Sequence, residues 1–219
     1  VTVWSLLVKR KVFVRTLFCL ETFRMPPKGA ATHARLIDEA MTQVTVRGLA
    51  AVSLQDVASA AGLSKSAVLK HFQSKEALQA EVVDAMIERF KAAVWDPAEP
   101  LPAGRERLDR IFRGELDWID GEDRPGGCPL KAAAIELDDQ PGPLRDTLKA
   151  SQVRWAKVLK REFRTLNPNA DDATLEVLVF QFKGIVLAYG HSRRLLDDDT
   201  ARAQATAAYR MLVASAPQS

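Results

Sequence analysis

The chain has 219 residues, 47% hydrophobic and 27% charged, with 11 Gly and 11 Pro. At about 150 residues per domain, that length suits one or two domains with a real core, and the composition excludes a disordered chain, a collagen-like repeat and a low-complexity linker. The formal net charge is +3, but residues 1–24 alone carry five Lys or Arg against one acid, which leaves −1 for the remainder and excludes a strongly basic body.

Residues 1–24, VTVWSLLVKRKVFVRTLFCLETFR, mix aromatic and basic side chains without a helical stripe. Apolar residues come first and the Lys-Arg-Lys cluster then interrupts them, the wrong order for a secretory signal. Met25 opens a run that reads as an ordinary start, so residues 1–24 are expected to be an upstream extension lying outside the fold. The alternative is a basic arm that touches nucleic acid or an anionic membrane surface.

From Ala34 to Val46, the positions Ile37, Ala40, Met41 and Val44 repeat at helical spacing, with Gly48 placed as a left-handed C-cap. Lys28 and Arg35 are expected in a flexible arm ahead of this helix. Ser53 caps a second helix bearing Leu54, Val57, Ala58 and Ala61, which stops at Gly62. Ser64 caps a short third helix with Val68 and Phe72 as its buried i, i+4 pair and Lys65, Ser66, Leu69 and Lys70 pointing elsewhere. Ser74 caps a fourth, running from Lys75 to about Trp95 through Leu78, Val82, Met86, Phe90 and Val94; Pro97, Pro100 and Pro102 end it. Further helices are expected near 105–120, 128–138, 141–166, 171–195 and 199–215, and no period-2 strand is evident. The expected fold is all-α, with an N-terminal three-helix, helix-turn-helix domain over 25–74 and a larger helical bundle over 75–219, the fourth helix connecting the two.

The run SLQDVASAAGLSKSAVLKHFQSKEAL, Ser53 to Leu78, resembles the N-terminal domain of the TetR family of transcriptional regulators. The Ala-Ala-Gly turn at 60–62, Ser64, the His71-Phe72 pair and Ser74-Lys75-Glu76 with Leu78 carry the match. The resemblance implies roles by position. Gln55, Lys65, Ser66 and Ala67 face base edges, where lysine suits guanine O6 or N7, glutamine suits adenine and the alanine methyl suits a thymine methyl. Lys70, His71, Lys75 and Ser53 suit phosphate contacts, Lys75 with help from the dipole of the fourth helix. Leu69 departs from the pattern, standing where the family usually has a tyrosine whose hydroxyl touches the DNA backbone.

The resemblance further implies a homodimer formed through the last two helices, reading a palindromic operator in double-stranded DNA. Leu175, Leu178, Val179, Phe182, Val186 and Tyr189 offer an apolar face, and Ala203, Ala207, Met211 and Ala214 allow close approach. The alternative for these side chains is the core of the chain itself. The helix over 141–166 places Leu144, Leu148, Ser151, Gln152, Trp155, Leu159 and Phe163 on one stripe, a mixture that suits a pocket for a small-molecule effector. Trp118, Cys128, Gln152, Trp155 and Phe180 are the candidate lining residues.

Cys128 precedes Pro129 at a helix start, which gives it a second reading as a redox-sensing thiol against that of a small buried residue. With only two cysteines, a disulfide scaffold is not expected and a reducing, cytoplasmic location is. No apolar run approaches the ~18–20 residues that span a bilayer. No H-E-x-x-H, G-x-S-x-G, S-x-x-K, Walker A or C-x-x-C motif occurs, so neither an enzyme, a metal site nor a cofactor is expected. The resemblance to the TetR family implies a ligand-responsive repressor. A helical adaptor that has lost DNA binding and a Cys128-based regulator or hydrolase are the alternatives.

Overall fold

The computed structural model describes residues 28–121 and 126–215, and among them every regular element is helical. The expected extension over residues 1–24 lies outside the described residues. Helix α1 (Lys28–Arg47) begins before its apolar stripe does, because Gly29 to Ala34 is an alanine-rich run that extends the helix while remaining largely solvent-facing. Arg35 consequently lies inside α1 and not on a flexible arm; its Nη2 donates to the Ala61 carbonyl at 2.8 Å, tying α1 to the turn after the second helix.

Helices α2 (Leu54–Ala60), α3 (Lys65–Leu69) and α4 (Lys75–Phe90) each start on a serine. The Oγ of Ser53, Ser64 and Ser74 accepts the N–H of Asp56, Ala67 and Ala77, respectively. Such caps stabilise by about 1 kcal/mol each, which matters for a five-residue helix such as α3. Leu36, Met41, Val44, Val57, Val68, Phe72, Leu78 and Val82 form the core beneath these helices. Helix α4 runs on through one π-helical turn, Lys91–Trp95, into the second half of the chain.

That half comprises α5 (Arg105–Asp120), α6 (Pro129–Glu136), α7 (Pro143–Leu166), α8 (Asp172–Arg194) and α9 (Ala201–Ser215). Phe182 meets Phe112, Phe163 and Tyr209 edge-on at 5.9, 6.3 and 6.0 Å, and Phe112 stacks on Tyr209 at 4.2 Å. The hydroxyls of Tyr209 and Tyr189 donate to Asp109 at 2.7 Å and Asp120 at 2.5 Å. Burial, reinforced by Asp120, pushes Tyr189 up to about 12, and Tyr209 is raised by burial and Asp109, so both remain protonated donors at neutral pH.

The structure corrects the expected outer face of α8. Leu175, Leu178, Val179, Phe182, Val186 and Tyr189 are all buried within the chain itself, while Val177, Phe180 and Leu187 are exposed. Helix α8 is apolar on both sides: with mean hydropathy 1.3 over its most apolar window it is long and apolar enough to cross a membrane by length and composition only, a criterion that a core helix also meets.

The proline-rich link between α4 and α5 is held by a buried ion pair. Glu162 of α7 accepts from the Gly104 N–H at 2.9 Å and from Arg107 Nη1 at 3.0 Å, and Arg107 also donates to the Leu101 and Glu99 carbonyls. Arg107→Ala leaves the Glu162 carboxylate, 3% exposed, without its counter-charge. A loss of about 3 kcal/mol or more is expected in chemical denaturation, with most of it recovered by Arg107→Met combined with Glu162→Leu. Equal stability of the single variant and the parent would remove this assignment.

Candidate nucleic-acid interface and effector cavity

The amphipathic pattern of α3 sorts its residues. Val68 and Phe72 are buried, while Lys65, Ser66, Leu69 and Lys70 are exposed, Leu69 at 42%. Gln55 is exposed on α2, its Nε2 resting on Ser59 Oγ at 3.3 Å, and Ser66 shares a hydrogen bond with Ser64 at 2.9 Å. Ala67 is half-buried. Ser53 is engaged locally, donating to the Asp56 carboxylate at 2.5 Å and accepting the Asp56 N–H, and this hydroxyl with Arg47 holds Asp56 below the usual carboxylate range. His71 is half-buried with its ring 5.6 Å from that of His33, whose Nε2 lies 2.6 Å from Glu81. Lys75 Nζ donates to the Ala50 carbonyl at 2.5 Å, leaving two of its three N–H groups for another acceptor.

A cavity of about 370 Å³ lies between α4, α5, α6 and α7. Ile87, Phe90 and Trp95 come from α4 and its π turn, Glu115 from α5, Leu130 and Lys131 from α6, and Gln152, Trp155 and Val158 from α7; Cys128, 8% exposed, completes the wall at the start of α6. Phe90 packs edge-on against Trp155 at 5.2 Å and Trp118 at 5.8 Å. Glu115, with its side chain 5% exposed, is neutralised inside the cavity by Lys131 at 3.2 Å and accepts Trp155 Nε1–H at 2.9 Å. The box is therefore aromatic, with one internal ion pair and an amide, and α4 contributes both to its wall and to the base of the three-helix unit.

The family profile described as "Bacterial regulatory proteins, tetR family" matches residues 36–82, and "Tetracyclin repressor-like, C-terminal domain" matches residues 104–209. The chain belongs to the TetR family. Among curated relatives, this TetR-family chain is similar to the HTH-type transcriptional repressor DhaR of Mycobacterium sp. (strain GP1), 28% identical over 127 residues, which cover 55% of the chain and 60% of DhaR. The chain thus spans less than two thirds of that relative's length. A TetR transcriptional regulator from Chloroflexus aurantiacus superposes with TM-score 0.70 at 23% identity, covering 85% of the chain and 94% of its own. AibR in complex with isovaleryl coenzyme A and operator DNA gives TM-score 0.66 at 19% identity, over 86% of the chain and 100% of its own. At these identities the two structures share the fold.

Within the TetR-family chain, the structure brings Cys128, Gln152 and Trp155 together on the cavity wall. Trp118 stands behind Phe90, 4% exposed, and does not line it. Phe180 is 79% exposed on the outside of α8, which removes it from the cavity altogether. Sequence reasoning missed Phe90 as a lining residue because it continues the core stripe of α4, and missed Glu115 and Lys131 because lone charges read as solvated. It also missed Glu136. This residue ends α6, and its carboxylate accepts the backbone N–H groups of Leu49 and Ala50, both at 2.6 Å, while Gln79 Nε2 holds the Leu49 carbonyl at 2.9 Å. A Cβ on Gly48 would stand 2.8 Å from Glu136 Oε2, and its φ of +82° also favours glycine, so the turn admits this carboxylate only because position 48 lacks a side chain.

Proposed function

We propose that the chain is a cytoplasmic, ligand-responsive transcriptional repressor. It binds a palindromic operator as a homodimer through the α2–α3 unit, residues 25–74 forming the DNA-binding domain and 75–219 the effector-binding and dimerisation domain. The observation that carries this reading is a single continuous α4: its first turns seat the helix-turn-helix, and Ile87, Phe90 and the π turn wall the cavity. A ligand entering the cavity shifts α4, changes the separation of the two α3 helices in the dimer and lowers operator affinity. AibR, whose structure holds both a small molecule and operator DNA, supports the pairing of the two functions in one fold.

Lys65, Ser66, Ala67 and Gln55 are assigned to base edges, and Ser53, Lys70, His71 and Lys75 to phosphates. Leu69 supplies apolar contact without a hydrogen bond. Selection of bound sequences from random DNA is expected to enrich a palindrome. On that site, Lys75→Ala weakens binding across all sequences and lowers the salt slope by about one, whereas Lys65→Ala costs about 1–3 kcal/mol and relaxes one base position. An unchanged slope for the first variant discards its phosphate role, and no enriched palindrome favours the adaptor reading that the exposed Leu69 suggests.

A further inference from the structure

The cavity opens onto a broad trough of about 890 Å³ along the outer face of α7, and the two share Arg154, Val158 and Arg161. Arg154, Lys157 and Arg161 stand at i, i+3 and i+7, one stripe about 10 Å long. The neighbouring cations in the trough are already satisfied: Lys160 pairs with Asp172 at 3.3 Å and Glu176 at 3.0 Å, and Arg164 pairs with Asp172. Among the described residues, the stripe's own three cations have no carboxylate within 4.0 Å. Glu99 is the acid that shares the cavity mouth, since Asp96 is taken by Lys91 at 2.6 Å. Like charges at these helical spacings repel, and among the described residues no carboxylate offsets the stripe.

The interior has the opposite character. Its carboxylate is cancelled by Lys131, and its walls are Phe90, Trp95, Leu130 and Trp155. It accepts an apolar group, and the unpaired cations, Arg154 and Arg161, stand at its rim, so an anionic head has to reach outward to meet them. Guanidinium groups at the rim match phosphate oxygens in two-pronged geometry.

Resting on the reading of this cavity as the effector site, we propose that its ligand is an apolar acyl or ring group joined to a phosphorylated head. The tail lies in the aromatic box, and Arg154, Lys157 and Arg161 hold the head along α7. A nucleotide-type head, as in a coenzyme A thioester, and a glycerophosphate head both present this chemistry.

The test is direct titration of the full chain without DNA, read by calorimetry and tryptophan fluorescence. The probes are hexanoyl coenzyme A, hexanoyl glycerol 3-phosphate, coenzyme A alone and the uncharged hexanoyl thioester of N-acetylcysteamine. At least one phosphorylated hexanoyl probe is expected to bind about tenfold or more tighter than the uncharged thioester and coenzyme A, and which one does so names the head. Arg154→Ala with Arg161→Ala, both exposed positions, is expected to remove that advantage and its salt dependence while leaving the uncharged probe within about twofold. Equal binding of charged and uncharged probes, an unaffected double variant, or no binding by any probe overturns the proposal. Operator binding is measured in parallel on the same protein: DNA binding without probe binding overturns this inference alone, and probe binding without DNA binding overturns the repressor reading alone.

Discussion

Phe180→Asp is expected to convert the proposed homodimer into a monomer and to abolish operator binding. Phe180, 79% exposed, lies at the centre of an outward stripe on α8 that includes Val177 at 54% and Leu187 at 48%, with Met211 of α9 at 73%. Gly184 has nothing within 4 Å of the Cβ it lacks, and Ala173, Ala188, Ala203 and Ala207 are exposed beside this stripe, so a second helix pair can approach closely. In a two-fold interface the same patch serves both partners, so in the proposed homodimer each chain would bury a Phe180 worth about 1.5–3 kcal/mol. Aspartate removes both contributions and buries two like charges near the axis, a loss of several kcal/mol that weakens dimerisation by about a thousandfold or more. Light scattering at micromolar concentration checks the mass, and the helical content remains unchanged because Phe180 serves no intramolecular core. A variant that stays dimeric would place the interface elsewhere.

The second large effect is expected at Glu136. Its carboxylate joins α6, which carries Leu130 and Lys131 in the cavity wall, to the Leu49 and Ala50 N–H groups at the turn between α1 and α2. Lys75 and Gln79 hold the carbonyls of the same two residues, so the turn is clamped from α4 and α6 together. Charge-assisted hydrogen bonds stabilise by roughly 1.5–3 kcal/mol each, and partial exposure here brings the expected cost of Glu136→Ala to about 2 kcal/mol. Its larger consequence concerns coupling. A displacement of α6 reaches the helix-turn-helix through this carboxylate, so Glu136→Ala should keep effector affinity within about twofold while cutting the ligand-induced drop in operator affinity by about fivefold or more. Operator titration with and without saturating ligand measures this. The same ligand-induced drop in variant and parent would assign coupling to α4 alone.

The sequence by itself determined the helices and the helix-turn-helix because those signals are local. The serines at 53, 64 and 74 satisfy the first N–H groups of the helices they precede, Gly48 and Gly62 supply the positive φ that ends the helices before them, and Val68 marks the buried side of a five-residue helix, with Phe72 buried just past its end. Part of the cavity wall was legible for a similar reason, since Gln152 and Trp155 share one face of α7 at helical spacing. The remainder required the tertiary structure. Helix α8 is apolar on both sides, so its periodicity cannot say which side meets the core; packing against α5, α7 and α9 put Phe182 inward and Phe180 outward. The partners of Glu115, Glu136 and Glu162 lie 16 to 87 positions away, a separation at which spacing carries no information about proximity. Only the fold turned three carboxylates that no sequence motif singles out into the neutralised floor of a cavity, a clamp on the turn between α1 and α2 and the anchor of a linker, because an acid's role depends on which cation or N–H the chain brings back to it.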